Sequence, residues 1–156
     1  IAPDVTADVI TMAKSLGGGL PIGACIARGA TAGALQPGDH GSTFGGNPVC
    51  SAAALAVLDV IEKDELLLAS RERGAQLVRA LRDPLIDHVR GLGLWRAMVL
   101  RRPVAKQLEA TAREHGALVN AVSESVVRLA PPLVITADEV EEGAARIRRA
   151  CAEVAG

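Results

Sequence analysis

The sequence predicts an α/β chain in two parts, residues 1 to 62 and residues 63 to 156, the second an α+β unit. Three observations predict it. Short apolar runs of strand length alternate with longer runs of helical spacing. A glycine- and hydroxyl-rich stretch, His40 to Gly46, stands between an early strand region and the first long helix. The Asp83-Pro84 pair then marks a change of composition.

Taken in order, Val9 to Met12 reads as a short buried strand. After the Gly17 to Gly19 turn, Pro21 to Ala27 reads as a second, which leaves Lys14 at a strand exit. A short helix-like piece covers Gly29 to Leu35, and the 40–46 stretch has loop chemistry. Asn47 and Pro48 fit an N-cap and first helical position, opening a helix that reaches Glu62. A second helical pattern runs from Glu65 to Leu81, where Asp83-Pro84 stops it. His88 to Leu100 reads as a strand pair bent at Gly91 and Gly93, Val104 to His115 as a helix, and Ala117 to Val119 and Val126 to Ala130 as strands. Thr136 with Glu139 three residues later forms a capping-box pattern for a last helix to Val154. There is no internal repeat.

Composition narrows the function classes. Apolar residues at 49% and charged residues at 22% supply a core and argue against disorder. Seventeen basic and eighteen acidic residues leave a net charge of -1, so neither nucleic acid nor an anionic membrane surface is an expected partner. The most apolar stretch, Val49 to Leu58, is interrupted by Asp59, well short of the ~20 residues a membrane span needs. Cys25, Cys50 and Cys151 form no Cys-x-x-Cys pair and are odd in number, which points to a reducing, cytoplasmic setting. No targeting peptide is recognisable at the start, and a first residue of isoleucine suggests part of a longer chain. Phe44 and Trp95 are the only aromatic residues, too few for stacking on single-stranded nucleic acid. His40, His88 and His115 lack ligand spacing, so no metal site is expected, and no Gly-x-Ser-x-Gly elbow marks a serine hydrolase.

Three groups of residues could carry chemistry. Lys14 follows an apolar strand and precedes three glycines. A desolvated lysine amine near another positive group attacks an aldehyde carbon to give an imine; the alternative is a solvated lysine at a strand end. The order Lys14-Ser15 before the glycines is the reverse of a nucleotide-binding P-loop, which excludes that reading. Gly17 to Gly19 then serve either a ligand or simply a tight turn. Ser42 and Thr43, flanked by glycines and followed by the Pro48 helix start, suit an anion such as phosphate, or else a plain polar loop. Arg128 interrupts the apolar strand Val126 to Ala130, where a buried guanidinium needs a carboxylate, from a ligand or from a structural salt bridge.

The segments Ala13 to Ala24, His40 to Pro48 and Val127 to Leu133, in this order and spacing, resemble the fold-type I, class III aminotransferases across nearly the whole chain. Within the family they are most similar to the branch acting on acetylornithine. The resemblance implies the end of a large domain that binds pyridoxal 5'-phosphate (PLP), followed by the small C-terminal domain. It implies that Lys14 both anchors PLP and moves the substrate proton, that Thr43 holds the PLP phosphate across a homodimer interface, and that Ser42 contacts substrate. Arg128 would receive the substrate α-carboxylate. The implied reaction passes an amino group from N-acetylornithine to 2-oxoglutarate in arginine biosynthesis, with ornithine, succinylornithine or 4-aminobutyrate as alternative donors.

Two departures accompany the resemblance. Trp95-Arg96-Ala97 replaces a smaller, glycine-containing run of the family, which bears on local packing. The family's aspartate at the pyridine nitrogen, its ring-stacking aromatic and its main phosphate loop belong to an upstream half, so this stretch alone is expected to be nearly inactive. The rivals are a non-catalytic binding domain, or a phosphate-ligand module in which Lys14 makes only an ion pair.

Overall fold

A computed structural model describes residues 5–156, and its contacts separate two units, Ile1–Asp64 and Glu65–Gly156.

In the first unit Val9–Met12 forms β1, antiparallel to β2, Ala24–Ala27. The second strand starts later than the sequence suggests. Beyond the Met12–Ala24 pair β1 has no rung to offer, because Lys14 leaves the extended region at a φ of 57°. The strand expected to be buried is alternately exposed and half-buried, since a two-stranded ribbon by itself covers neither face fully. Single 3-10 turns follow each strand, Lys14–Gly17 and Gly29–Gly33. Helix α1 spans Pro48–Lys63. Asn47 caps it, its Oδ1 accepting from the N–H groups of Val49 at 2.9 Å and Cys50 at 3.2 Å. Pro48 takes the first helical position, where a missing N–H removes no helical bond.

The second unit carries the core. Helices α2 (Leu66–Ala80), α3 (Ala105–Glu114) and α4 (Ala137–Ala155) pack on an antiparallel sheet. Its strands β3 (Ile86–Leu92), β4 (Trp95–Leu100), β5 (Asn120–Ser123) and β6 (Val126–Leu129) lie in the order β3-β4-β6-β5. Met98 and Val127 face each other across β4 and β6, and both are fully buried beneath Leu108, Val140 and Cys151. Each such side chain contributes about 1.5–3 kcal/mol by leaving water. The Cys151 thiol is one of these core groups, and burial pushes its pKa up to about 12.

One close approach sets the hairpin against α2. A Cβ on Gly74 would overlap the Gly93 carbonyl in the β3–β4 turn, and Ser70 Oγ on the same helix accepts the Leu94 N–H at 3.2 Å.

The strand expected at Ala117 to Val119 begins instead at Asn120. Helix α3 ends with the Gly116 N–H on Arg113 O at 2.9 Å and the Ala117 N–H on Ala112 O at 2.8 Å. This six-to-one, five-to-two pair is a Schellman motif. It requires the left-handed φ of 78° that Gly116 supplies, and it ties Ala117 to the helix rather than to the sheet.

The capping box forms as its spacing suggests. Thr136 Oγ1 accepts the Glu139 N–H at 3.2 Å, and Glu139 Oε2 accepts the Thr136 N–H at 2.8 Å. That backbone donor first, and the Thr136 hydroxyl second, hold the Glu139 carboxyl below its usual 4.5. A depressed folded-state value stabilises above the unfolded pKa and is lost as pH falls through the folded one. We expect Thr136→Ala to lower unfolding free energy by ~1 kcal/mol, the worth of an N-cap, read from urea midpoints at pH 7. The difference from the parent should narrow as pH falls below the 4.5 usual for glutamate, because alanine keeps the backbone donor but removes the hydroxyl that donates to Glu139 Oε2 at 2.8 Å; a constant difference would show that this hydroxyl does not favour the ionised carboxyl.

Candidate functional site

Lys14 sits where β1 gives way to its 3-10 turn, exposed and in left-handed backbone. For a residue with a Cβ this conformation costs roughly 1–2 kcal/mol, and such outliers concentrate at functional sites. Successive turns fix the backbone around it: Leu16 N–H donates to Ala13 O at 3.2 Å, Gly18 N–H to Ser15 O at 3.0 Å and Leu20 N–H to Gly17 O at 3.0 Å. Gly17 is buried, and a Cβ there would lie 2.7 Å from Ile22 Cγ2. The lysine therefore stands on a rigid base with its amine in the open.

The loop 40–46 is exposed throughout. It is shaped by Gly45 N–H to Ser42 O at 3.3 Å and Asn47 N–H to Phe44 O at 3.2 Å. Among the described residues the Ser42 and Thr43 hydroxyls enter no side-chain hydrogen bond, so both are available to a ligand. The expected contribution of the helix start is corrected. Asn47 Oδ1 already occupies the Val49 and Cys50 amides, so an anion here depends on the hydroxyls and the loop.

Arg128 also departs from expectation. Its strand neighbours Val127 and Leu129 are buried, but alternation turns Arg128 to the exposed face of the sheet. Among the described residues it belongs to none of the ion pairs. Its guanidinium carbon lies over the Trp95 ring, 5.3 Å from the centroid. The sequence reading treats Trp95 only as a packing anomaly; strand register, which puts the two on one face, was the signal for more. Neighbouring Arg96 is directed otherwise, its Nη1 donating to Gly91 O at 2.5 Å.

Among the described residues there is no cluster of three or more histidine, cysteine, aspartate or glutamate residues suited to a metal ion, and no helix is long and apolar enough to cross a membrane.

The sequence model of the family described as Aminotransferase class-III matches residues 2–151. The chain belongs to this family. It is 56% identical over 140 residues to the acetylornithine aminotransferase of Mycobacterium tuberculosis H37Rv, covering 88% of this chain and 35% of that protein. The solved acetylornithine aminotransferase of Elizabethkingia anophelis superposes with a TM-score of 0.86 at 32% identity, over 96% of this chain and 42% of the other. The ornithine aminotransferase of Toxoplasma gondii, whose structure is described as holding PLP at partial occupancy in its active site, superposes with a TM-score of 0.88 at 33% identity, over 97% and 38% of the two chains. This class-III aminotransferase chain thus spans a little over a third of the length of the curated relatives it matches.

The donor set of the first unit fits PLP. Lys14 is exposed rather than desolvated in this chain, and what it offers the cofactor's aldehyde is an accessible amine on strained, well-anchored backbone. The Thr43 hydroxyl, without a side-chain hydrogen bond among the described residues, suits its phosphate.

Proposed function

We propose that the full-length protein is a PLP-dependent homodimer that transfers the amino group of N-acetylornithine to 2-oxoglutarate. The observation that carries the reading is Lys14, an exposed lysine in left-handed backbone at the exit of β1. The 56% identity to an acetylornithine aminotransferase supports the choice of donor. Ornithine as donor is the second reading, favoured by the likeness to the solved ornithine aminotransferase of T. gondii. Three free thiols support a reducing, cytoplasmic location.

In this reading Lys14 Nζ would hold the cofactor and, once the substrate amine has displaced it, would carry the proton from the substrate carbon to the cofactor carbon. Bound PLP supplies an electron-poor ring that accepts the electron pair left on that carbon. The Thr43 hydroxyl donates to the cofactor phosphate across the dimer interface, and Ser42 orients the substrate. Arg128 binds the α-carboxylate through its in-plane N–H groups, a geometry that lysine cannot reproduce.

Borohydride reduction of the full-length protein saturated with PLP tests the central assignment. The peptide containing Lys14 is expected to gain the mass of a reduced pyridoxyl phosphate adduct. An unmodified Lys14 with the label elsewhere would overturn it. Turnover should be faster with N-acetylornithine than with ornithine, succinylornithine or 4-aminobutyrate, and the reverse order would reassign the donor.

A further inference from the structure

We propose that Trp95 is a positioning residue for Arg128, orienting its guanidinium before the substrate carboxylate arrives; the proposal rests on the carboxylate role given to Arg128 above. The register supports it directly. Ala97 stands opposite Arg128 in the β4–β6 pairing, which makes Trp95, two residues earlier, the diagonal neighbour on the same face. The ring is 63% exposed and lies on the side of the sheet away from Met98 and Val127, so core packing gives it little to do. Among the described residues no carboxylate pairs with Arg128, and the indole is the group that restrains it.

The two contacts are compatible. The ring attracts the guanidinium through its negative π face, whereas a carboxylate is gripped by the N–H groups in the guanidinium plane. An arginine held over a ring has already lost part of its rotamer freedom, so less ordering remains to oppose ligand binding.

The test uses the full-length enzyme loaded with cofactor. Trp95→Leu is expected to raise KM for the amino donor roughly three- to fivefold, the worth of an exposed cation–π contact, at unchanged kcat. Trp95→Phe, which keeps a ring face, should recover most of the loss. In an Arg128→Gln background, Trp95→Leu should add nothing further. Thermal midpoints of all variants establish that they are folded. If Arg128→Gln raises KM while Trp95→Leu leaves it unchanged, the positioning role is overturned and the carboxylate reading stands. An unchanged KM in Arg128→Gln overturns the carboxylate reading itself. A Trp95→Leu effect that persists in the Arg128→Gln background, or a fall in kcat that phenylalanine does not rescue, makes Trp95 structural and also overturns the proposal.

Discussion

Lys14→Ala in the full-length protein is expected to slow transamination by about a hundredfold to ten-thousandfold, the span a positioned general base contributes. The loss should appear in kcat, because the amine acts on the substrate proton and not on the carboxylate. Lys14→Arg should fare no better: it keeps the charge, but a guanidinium neither condenses with an aldehyde nor releases a proton near neutral pH. Stability should barely change, within about 0.5 kcal/mol, since Lys14 is exposed and alanine inherits the same left-handed backbone. Near-parental turnover in the alanine variant would remove Lys14 from the chemistry.

Gly74→Ala is expected to destabilise the second unit by about 1–3 kcal/mol, the usual cost of forcing atoms into a filled space. Helix propensity alone predicts the opposite sign, a gain of about 1 kcal/mol from replacing glycine inside a helix. The local geometry decides between them. A Cβ at this position meets the Gly93 carbonyl, which is backbone and cannot swing aside, and Ser70 Oγ ties the next residue, Leu94, to the same helix. A urea midpoint that falls with an unchanged m-value would match this account. A midpoint equal to or above the parent's would show that α2 and the turn separate at little cost.

Much of the fold was legible because its signals are local. Asn47-Pro48 announced the start of α1, Thr136 with Glu139 the start of α4, and Gly91 and Gly93 the hairpin bend, each through chemistry contained within a few residues. The misreadings came where an apolar pattern did not show its surroundings, whether the end of the preceding helix or what lies over a strand face. The apolar run 117–119 looks like strand until the Gly116 Schellman motif claims Ala117, and Val9 to Met12 looks buried because periodicity reports a face without showing what covers it. Gly74 sat unremarked in a helical run, since its partner lies nineteen residues away across a turn.

The candidate residues divide in the same way. Lys14, Ser42 and Thr43 were marked by their immediate neighbours, and the structure adds the strain at Lys14 and the prior claim of Asn47 on the helix amides. Arg128 was noticed as a charge in an apolar strand, but its direction and its aromatic neighbour depend on pairing between β4 and β6. A stretch that departs from its family, Trp95 to Ala97, proved informative for the same reason.

The orientation of Arg128 is guarded by residues that never meet a ligand. A one-codon deletion in the Glu124-Ser125 turn that slid β6 past its neighbour would carry Val127 and Leu129 into water and drive the guanidinium among Met98 and Leu108. Such a register-shifted strand would forfeit the hydrophobic layer at once, so mutants with a misdirected arginine should be cleared as unfolded chains before they could persist as enzymes of altered preference.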